Sequence, residues 1–145
     1  MNKSKKKIDE ILRVNHAGEY GAQIIYKSQI RFSKNNLLKK ELKKISSEEK
    51  VHLEYFQEQI LKNRTRPTIM QPIWKVGGTA LGLVSSLLGE KYVHACTEAI
   101  ESTIVDHYQE QVKYLKKQNV RSDLRKNIIK FCDEENKHKL SSQKK

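Results

Sequence analysis

Two Glu-x-x-His pairs constrain the fold of this 145-residue chain more than any other feature of its sequence. They are Glu49 with His52 and Glu135 with His138. Residues three apart lie on the same face of a helix, so each pair can direct a carboxylate and an imidazole at one point. The 13 glutamates and five histidines would give about half of one such pair by chance. Two pairs therefore indicate metal-binding helices, although either pair alone is a weak motif.

The chain divides into two similar halves, each with a glutamate on one helix and a Glu-x-x-His pair on the next. Glu19 precedes the glutamate of the first pair by 30 residues, and Glu101 precedes that of the second by 34. Ferritin-like di-metal bundles take one glutamate from each of two helices and a Glu-x-x-His pair from each of the other two. We therefore predict an all-α, ferritin-like four-helix bundle in a single domain over residues 1–145. The predicted metal ligands are Glu19, Glu49, His52, Glu101, Glu135 and His138.

This ligand set indicates the class of metal. Four carboxylates and two imidazoles can balance and bridge two divalent ions. Such mixed oxygen and nitrogen ligation suits iron or manganese, whereas zinc more often takes cysteine or several histidines. Glu98 lies one turn before Glu101 on the same face, and spacing alone does not choose between them.

Four amphipathic stretches predict the bundle helices. Asn35 or Asn36 can cap the start of the second helix, and Ser122 can cap that of the fourth. Pro67 cannot continue a helix, so the basic turn that precedes it is expected to end the second one. The predicted helices cover about residues 7–32, 36–62, 90–117 and 122–140.

An apolar segment at about residues 67–89 is predicted to form an extra helical element between helices two and three. Residues 76–89 carry no charge, but this run is shorter than the roughly 20 apolar residues that span a bilayer. Two interpretations remain open. The segment is either an ordinary buried helix or hairpin, or an interfacial element with Trp74 and Lys75 at a membrane surface. Its larger apolar residues are Ile73, Val76, Ala80, Val84, Leu87 and Leu88, and the small residues Gly77, Gly78, Gly82, Ser85 and Ser86 lie largely on the other side.

Two glycines flank Glu19, although each glycine inside a helix costs about 1 kcal/mol relative to alanine. Together with Ala17 and Ala22, Gly18 and Gly21 surround this glutamate with small residues. These small residues predict that there is room for oxygen or substrate beside a metal. Close helix packing is the alternative explanation.

The chain is basic, with a formal charge of +12, which favours anionic partners. Arginine supplies only six of the 29 basic side chains, so we expect no nucleic-acid partner. A solvated lysine-rich surface is the simplest interpretation, and attraction to an anionic membrane surface is the functional one.

Cys96 and Cys132 form no Cys-x-x-Cys motif, so we expect them to be reduced and at least half-buried. The N-terminal stretch shows neither the apolar core of a signal peptide nor an arginine-rich leader. These features predict a bacterial cytoplasmic protein or a matured organelle protein.

Four sequence blocks resemble the demethoxyubiquinone hydroxylases of ubiquinone biosynthesis, over nearly the whole chain. The blocks are RVNHAGEYGA, EEKVH with the following RPTIMQPIW, ACTEAIESTIVDHYQEQV and FCDEENKH, of which the first and third are the most specific. The resemblance implies a pair of irons, with Glu101 rather than Glu98 as the ligand on helix three. The family usually has aspartate where this chain has Asn15, a change that we expect to be tolerated.

The resemblance also implies the chemistry: a monooxygenase that uses O2 to hydroxylate the ring of demethoxyubiquinol, with NADH as electron donor. Its quinone substrate resides in a membrane, and a homo-oligomer is compatible with the family. We therefore expect a peripheral protein on the cytoplasmic face of a bacterial cell membrane. The matrix side of the mitochondrial inner membrane is the alternative.

Three other residues lie near the predicted ligands. Tyr108 is two turns after Glu101 on the same face, where it is either an ordinary core tyrosine or a redox-active neighbour of the metals. His107 precedes it, and His16 lies one turn before Glu19, with their roles equally open.

Two other functions are compatible with the motifs. The first is another ferritin-like di-iron protein, a ferroxidase or a rubrerythrin-like peroxidase, although the apolar segment and the lack of a Cys-x-x-Cys module argue against it. The second is a basic lipid- or nucleic-acid-binding helical bundle with its glutamates on the surface. Salt-dependent DNA binding without bound iron would favour the second.

Overall fold

The computed structural model describes residues 2–145, and this part of the chain contains helices and no strand. The all-α prediction is therefore confirmed, with the apolar segment as a fifth helix between the predicted second and third ones. The helices are α1 (Lys3–Phe32), α2 (Asn36–Lys62), α3 (Gln71–Leu88), α4 (Glu90–Gln118) and α5 (Ser122–Gln143).

The chain divides into two compact units, of which the first ends at Val93 and the second comprises His94–Lys145. The first contains α1, α2, α3 and the first turn of α4. The second contains the rest of α4 and α5. The single domain over residues 1–145 stays a prediction.

In the first unit, α1 contacts both α2 and α3. Its apolar residues recur at the three- and four-residue spacing of a helix face, and burial of such a face is what stabilises a helix in a protein. The fully or almost fully buried apolar side chains of the unit are Ile11, Leu12, Ala22, Tyr26, Leu38, Leu42, Phe56, Ile60 and Val93.

Helix α3 packs on α1 through small residues. A Cβ atom added at Gly82 would lie 2.7 Å from the backbone oxygen of Ile25, so the two backbones approach too closely for any side chain at this position. Hydrogen bonds also cross the contact. Ser28 Oγ donates to the Thr79 carbonyl at 2.7 Å, and Gln29 Nε2 donates to Ser85 Oγ at 3.0 Å. Ser86 Oγ donates to the Gln29 carbonyl at 3.3 Å.

The buried face of α3 consists of Gly78, Gly82 and Ser85, which belong to the side where the sequence gathers its small residues. Gly77 departs from that prediction, because it is exposed. The interpretation as an ordinary buried helix is wrong, since the large apolar side chains of α3 are exposed. We call these exposed residues the apolar face of α3: Ile73, Trp74, Val76, Leu81, Val84, Leu87 and Leu88.

Within residues 2–145, none of the helices combines the length and the apolar character that a bilayer-spanning helix needs.

Both ends of α2 lie where the sequence predicts them. Asn35 caps the start, because its side-chain oxygen accepts a hydrogen bond from the Leu38 amide at 3.1 Å. The helix ends at Lys62, well before Pro67. Arg64 adopts a left-handed conformation (φ 51°), and the Thr65 amide donates back to the Ile60 carbonyl at 3.1 Å. This Schellman-type turn ends the helix within the basic turn that precedes Pro67, as predicted, and a left-handed Arg64 makes it.

In the second unit, α4 and α5 run antiparallel. Gln143 Nε2 near the end of α5 donates to Glu98 Oε1 near the start of α4 at 3.0 Å, and only residues 119–121 connect the other ends of the two helices. The predicted cap at Ser122 is wrong, because Ser122 is already helical and Arg121 precedes the helix. Arg121 holds both carboxylate oxygens of Asp123, and its hydrogen bonds lower the pKa of that carboxyl.

Candidate metal centre

Three predicted ligands lie in the first unit. Glu19 comes from α1, and Glu49 and His52 come from adjacent turns of α2. All three side chains are fully buried. The His52 Nδ1 atom lies 3.5 Å from Glu19 Oε1, so α1 and α2 bring a carboxylate and an imidazole together.

A pair of hydrogen bonds beside these ligands joins α1 to α2. Gln23 Nε2 donates to the Ser46 carbonyl at 2.7 Å, and Ser46 Oγ donates to Gln23 Oε1 at 2.9 Å. Gln23 lies one turn after Glu19, and Ser46 lies one turn before Glu49. The Gln23–Ser46 pair therefore sets the register of the two helices next to the ligands. Sequence reasoning missed it, because each residue alone is an ordinary polar side chain.

The other three predicted ligands lie in the second unit. Glu101 comes from α4, and Glu135 and His138 come from α5. One ligand atom from each lies within 4.8 Å of those from the other two. The two glutamates are fully buried and His138 is buried. Glu98 is only half-buried and accepts the hydrogen bond from Gln143, so the structure separates it from this group.

Each unit thus contributes two buried carboxylates and one buried imidazole. Buried carboxylates are costly unless positive charge or hydrogen bonds compensate them, and a divalent cation is an effective compensator. An oxygen-rich set with one histidine nitrogen matches iron or manganese better than zinc. The donor chemistry of both units therefore fits the predicted metal.

The residues predicted near the ligands occupy different environments. Tyr108 is buried, whereas His107 on the same helix is exposed. Asn15 and His16 are both buried on α1. His16 stacks on Tyr20 with ring centroids 6.1 Å apart, and burial lowers the pKa of His16 below its ordinary value. Roles of these residues beside a metal stay predictions.

The glycines near Glu19 do not all serve close packing. A Cβ atom added at Gly21 would meet nothing within 4 Å, so helix packing does not explain that glycine. Close backbone packing occurs instead at Gly82 of α3. That the small residues around Glu19 leave room for oxygen or substrate stays a prediction.

Neither cysteine forms a disulfide. Cys96 is half-buried and Cys132 is buried. Burial, and then the neighbouring Asp133 carboxylate, raise the pKa of the Cys132 thiol. A thiol with a raised pKa is a poor nucleophile, so Cys132 has the character of a structural cysteine.

Comparisons with known proteins show what the chain is similar to. The family model described as "Ubiquinone biosynthesis protein COQ7" matches residues 6–145. The chain is 38% identical over 139 residues to the NADPH-dependent 3-demethoxyubiquinone 3-hydroxylase, mitochondrial, of Rattus norvegicus, covering 94% of this chain and 64% of that protein. It is 36% identical over 133 residues to the protein of the same name in Caenorhabditis elegans, covering 90% of this chain and 71% of that protein.

A bacterial protein is also similar. The 3-demethoxyubiquinol 3-hydroxylase of Rhodospirillum rubrum is 43% identical over 105 residues, which are 72% of this chain and 50% of that protein. The chain therefore spans between half and about two thirds of the length of most relatives that it matches.

Proposed function

This chain belongs to the family of ubiquinone biosynthesis proteins described as COQ7, and on that premise we propose that it is a di-iron monooxygenase that hydroxylates the ring of demethoxyubiquinol with O2. The observation that carries the proposal is the same set of two buried carboxylates and one imidazole in each unit. The names of the relatives, which specify hydroxylation of demethoxyubiquinone or demethoxyubiquinol, support the substrate.

We propose that both sets hold one pair of irons. The proposed ligands are Glu19, Glu49, His52, Glu101, Glu135 and His138. Bound iron supplies the reaction with O2, which amino-acid side chains cannot perform. The protein side chains neutralise the charge of the metals and hold them away from bulk water. The Gln23–Ser46 pair keeps the turns of α1 and α2 that carry Glu19 and Glu49 in register.

The electron donor is proposed to be a reduced nicotinamide nucleotide. The resemblance implies NADH, whereas the names of the mammalian relatives specify NADPH. The assay of the proposed reaction therefore needs both nucleotides in separate reactions.

The apolar face of α3 is proposed to lie on a membrane that contains the quinone. Its side chains are exposed, with Leu87 at 72% and Val76 at 73% of their maximum, and Trp74 and Lys75 stand near the start of the helix. Large apolar side chains on a helix with tryptophan and lysine beside them are typical of interfacial helices. Basic surface charge would add attraction to anionic lipid. A homo-oligomer stays compatible with this arrangement.

Liposome sedimentation at low salt tests the membrane proposal. Leu87→Asp should reduce binding to vesicles that contain anionic lipid, because it places a charge on the apolar face of α3. Leu61→Asp is the matched control, since Leu61 is equally exposed (78%) but lies on α2. Equal binding by both variants, or no binding by the wild-type chain, would refute the proposal.

Iron titration tests the proposed function first. Apoprotein titrated anaerobically with Fe(II) should bind two irons per chain, and the Glu49→Ala, Glu135→Ala double variant should lose them. Loaded protein should then convert demethoxyubiquinol to its hydroxylated product with O2 and NADH or NADPH, as followed by chromatography. Iron binding with O2 consumption but no hydroxylated product would favour the ferroxidase or peroxidase alternative. No specific iron binding would exclude both enzymes.

A further inference from the structure

We propose that the Thr97 hydroxyl donates a hydrogen bond to a small anionic ligand that binds at the metal centre beside Glu101. This inference rests on the proposed di-iron function and adds a residue to the ligand-binding side of the site. It begins from one anomaly in α4: the Thr97 side chain is 1% exposed, and its Oγ1 atom has no hydrogen-bond partner.

A buried hydroxyl without a partner is unusual, because removing it from water costs free energy that no hydrogen bond compensates. Threonine inside a helix normally avoids that cost by donating to the carbonyl four residues earlier. Thr103 on the same helix does so, with Oγ1 3.0 Å from the Ala99 carbonyl. Thr79 on α3 does the same with Lys75 at 2.7 Å. Thr97 lacks this bond although its helix is continuous.

The position of Thr97 indicates what its hydroxyl serves. Thr97 lies four residues before Glu101, so both project from one face of α4, with their Cβ atoms roughly 6 Å apart. Ligand atoms of Glu101, Glu135 and His138 lie within 4.8 Å of one another. The hydroxyl is therefore one turn away from a cluster with the donor chemistry of a metal site.

The antiparallel register of the second unit places Thr97 at the same level as the end of α5. The hydrogen bond between Glu98 and Gln143 fixes this register, and Ser142 beside it is buried. Neither Ser142 nor any other described residue accepts a bond from Thr97 Oγ1. A small ligand on the metal side of Glu101 would supply the acceptor that this hydroxyl lacks.

The ligand class follows from what the site can hold. Hydroxyl groups donate one hydrogen bond and accept others, so Thr97 can donate to an anion without adding charge. Bound metal would supply the positive charge that draws a small anion into a site lined by carboxylates. Azide is the probe of this class, because it has three atoms in a line and gives an absorption band when bound to ferric iron.

Thr97→Val and Thr97→Ser separate the hydroxyl from the shape of the side chain. Valine keeps the volume and removes the hydroxyl, whereas serine keeps the hydroxyl. Thr103→Val is the control, because Thr103 is exposed on the same helix. Each full-length protein is loaded with iron, its iron content is measured, and the oxidised form is titrated with sodium azide.

With two irons per chain, Thr97→Val should bind azide about tenfold more weakly than wild type, as expected for one lost hydrogen bond to a charged ligand. Thr97→Ser and Thr103→Val should stay within about threefold of wild type. Thermal unfolding of the metal-free Thr97→Val variant should occur at the wild-type temperature or higher, because it removes an unsatisfied hydroxyl.

Three results would overturn the inference while the proposed function stands. One is wild-type azide affinity in Thr97→Val with full iron content. A second is weakened affinity in Thr97→Ser equal to that in Thr97→Val. The third is loss of iron from Thr97→Val alone, which would make Thr97 a structural residue. A wild-type chain without iron would instead overturn the proposed function together with this inference.

Discussion

Replacing Gly82 by alanine should destabilise the first unit, because α3 approaches the α1 backbone most closely at this residue. The added Cβ atom would lie 2.7 Å from the Ile25 carbonyl oxygen and in conflict with the Ser28 side chain. A carbonyl oxygen in a helix cannot rotate away, so α3 must move. That movement would also disturb the 2.7 Å hydrogen bond from Ser28 to the Thr79 carbonyl.

The magnitude follows from three opposing effects. Forcing an extra methyl group into a packed contact costs about 1–3 kcal/mol. Loss of the Ser28–Thr79 hydrogen bond adds about 1 kcal/mol. Alanine regains about 1 kcal/mol because glycine is a poor helix former. The free energy of unfolding should therefore fall by about 1–3 kcal/mol, which lowers the midpoint of thermal unfolding by roughly 3–10 °C in a chain of this size.

Gly77→Ala is the matched control, because a Cβ atom there would meet nothing within 4 Å. It should raise the midpoint by about 2–4 °C through helix propensity alone. Gly78→Ala should fall between the two, since its nearest neighbour, 2.9 Å away, is the Cγ2 methyl group of Ile24, a side-chain atom rather than backbone. Circular dichroism of the purified proteins in mild detergent measures all three. Equal midpoints for Gly82→Ala and Gly77→Ala would refute the packing of α3 on α1.

Three further predictions concern the chemistry of single side chains. Gln23→Ala should lower iron affinity without removing a ligand, because it breaks both hydrogen bonds to Ser46. Competition with a chelator measures the iron affinity, and an unchanged affinity would contradict the role of the pair. His16 has a folded-state pKa below its unfolded value of about 6.5, so the free energy of unfolding should fall as the pH drops below about 6.5. In urea unfolding at pH 5–8, His16→Gln should flatten that dependence. Parallel pH dependences of the wild-type and variant proteins would exclude this contribution of His16. Cys96 should react with a disulfide reagent before Cys132, because burial raises the pKa of the Cys132 thiol. Mass spectrometry of partly modified protein measures the order, and earlier modification of Cys132 would contradict this prediction.

Helix positions and ligand burial followed closely from local patterns. The period of the apolar residues placed each predicted helix within a few residues of its observed bounds, and all six predicted ligands are buried. The resemblance carried by RVNHAGEYGA and the other blocks is confirmed by the family match. Local pattern was sufficient here because helices and Glu-x-x-His spacing are both properties of a few consecutive turns.

Features that depend on distant residues were not predictable in the same way. A left-handed Arg64 ends α2, and no sequence signal distinguishes this arginine from its neighbours, whereas a glycine would have been recognised. The Gln23–Ser46 pair and the unpartnered Thr97 hydroxyl become visible only when two helices are placed side by side. The same is true of α3, whose sequence left open whether its large or its small residues face the protein.

The orientation of α3 connects the fold to the proposed membrane contact. Close approach to α1 requires residues without large side chains, so Gly78, Gly82 and Ser85 face the protein and every large side chain is left for another environment. Full burial of a leucine or valine side chain contributes about 1.5–3 kcal/mol. Burial of several exposed apolar side chains of α3 in a lipid surface would therefore contribute several kcal/mol to membrane binding. These side chains are not buried against the described part of the chain. Because α1 packs on α3 and also carries Glu19, the helix proposed to touch the membrane is one contact removed from a proposed iron ligand.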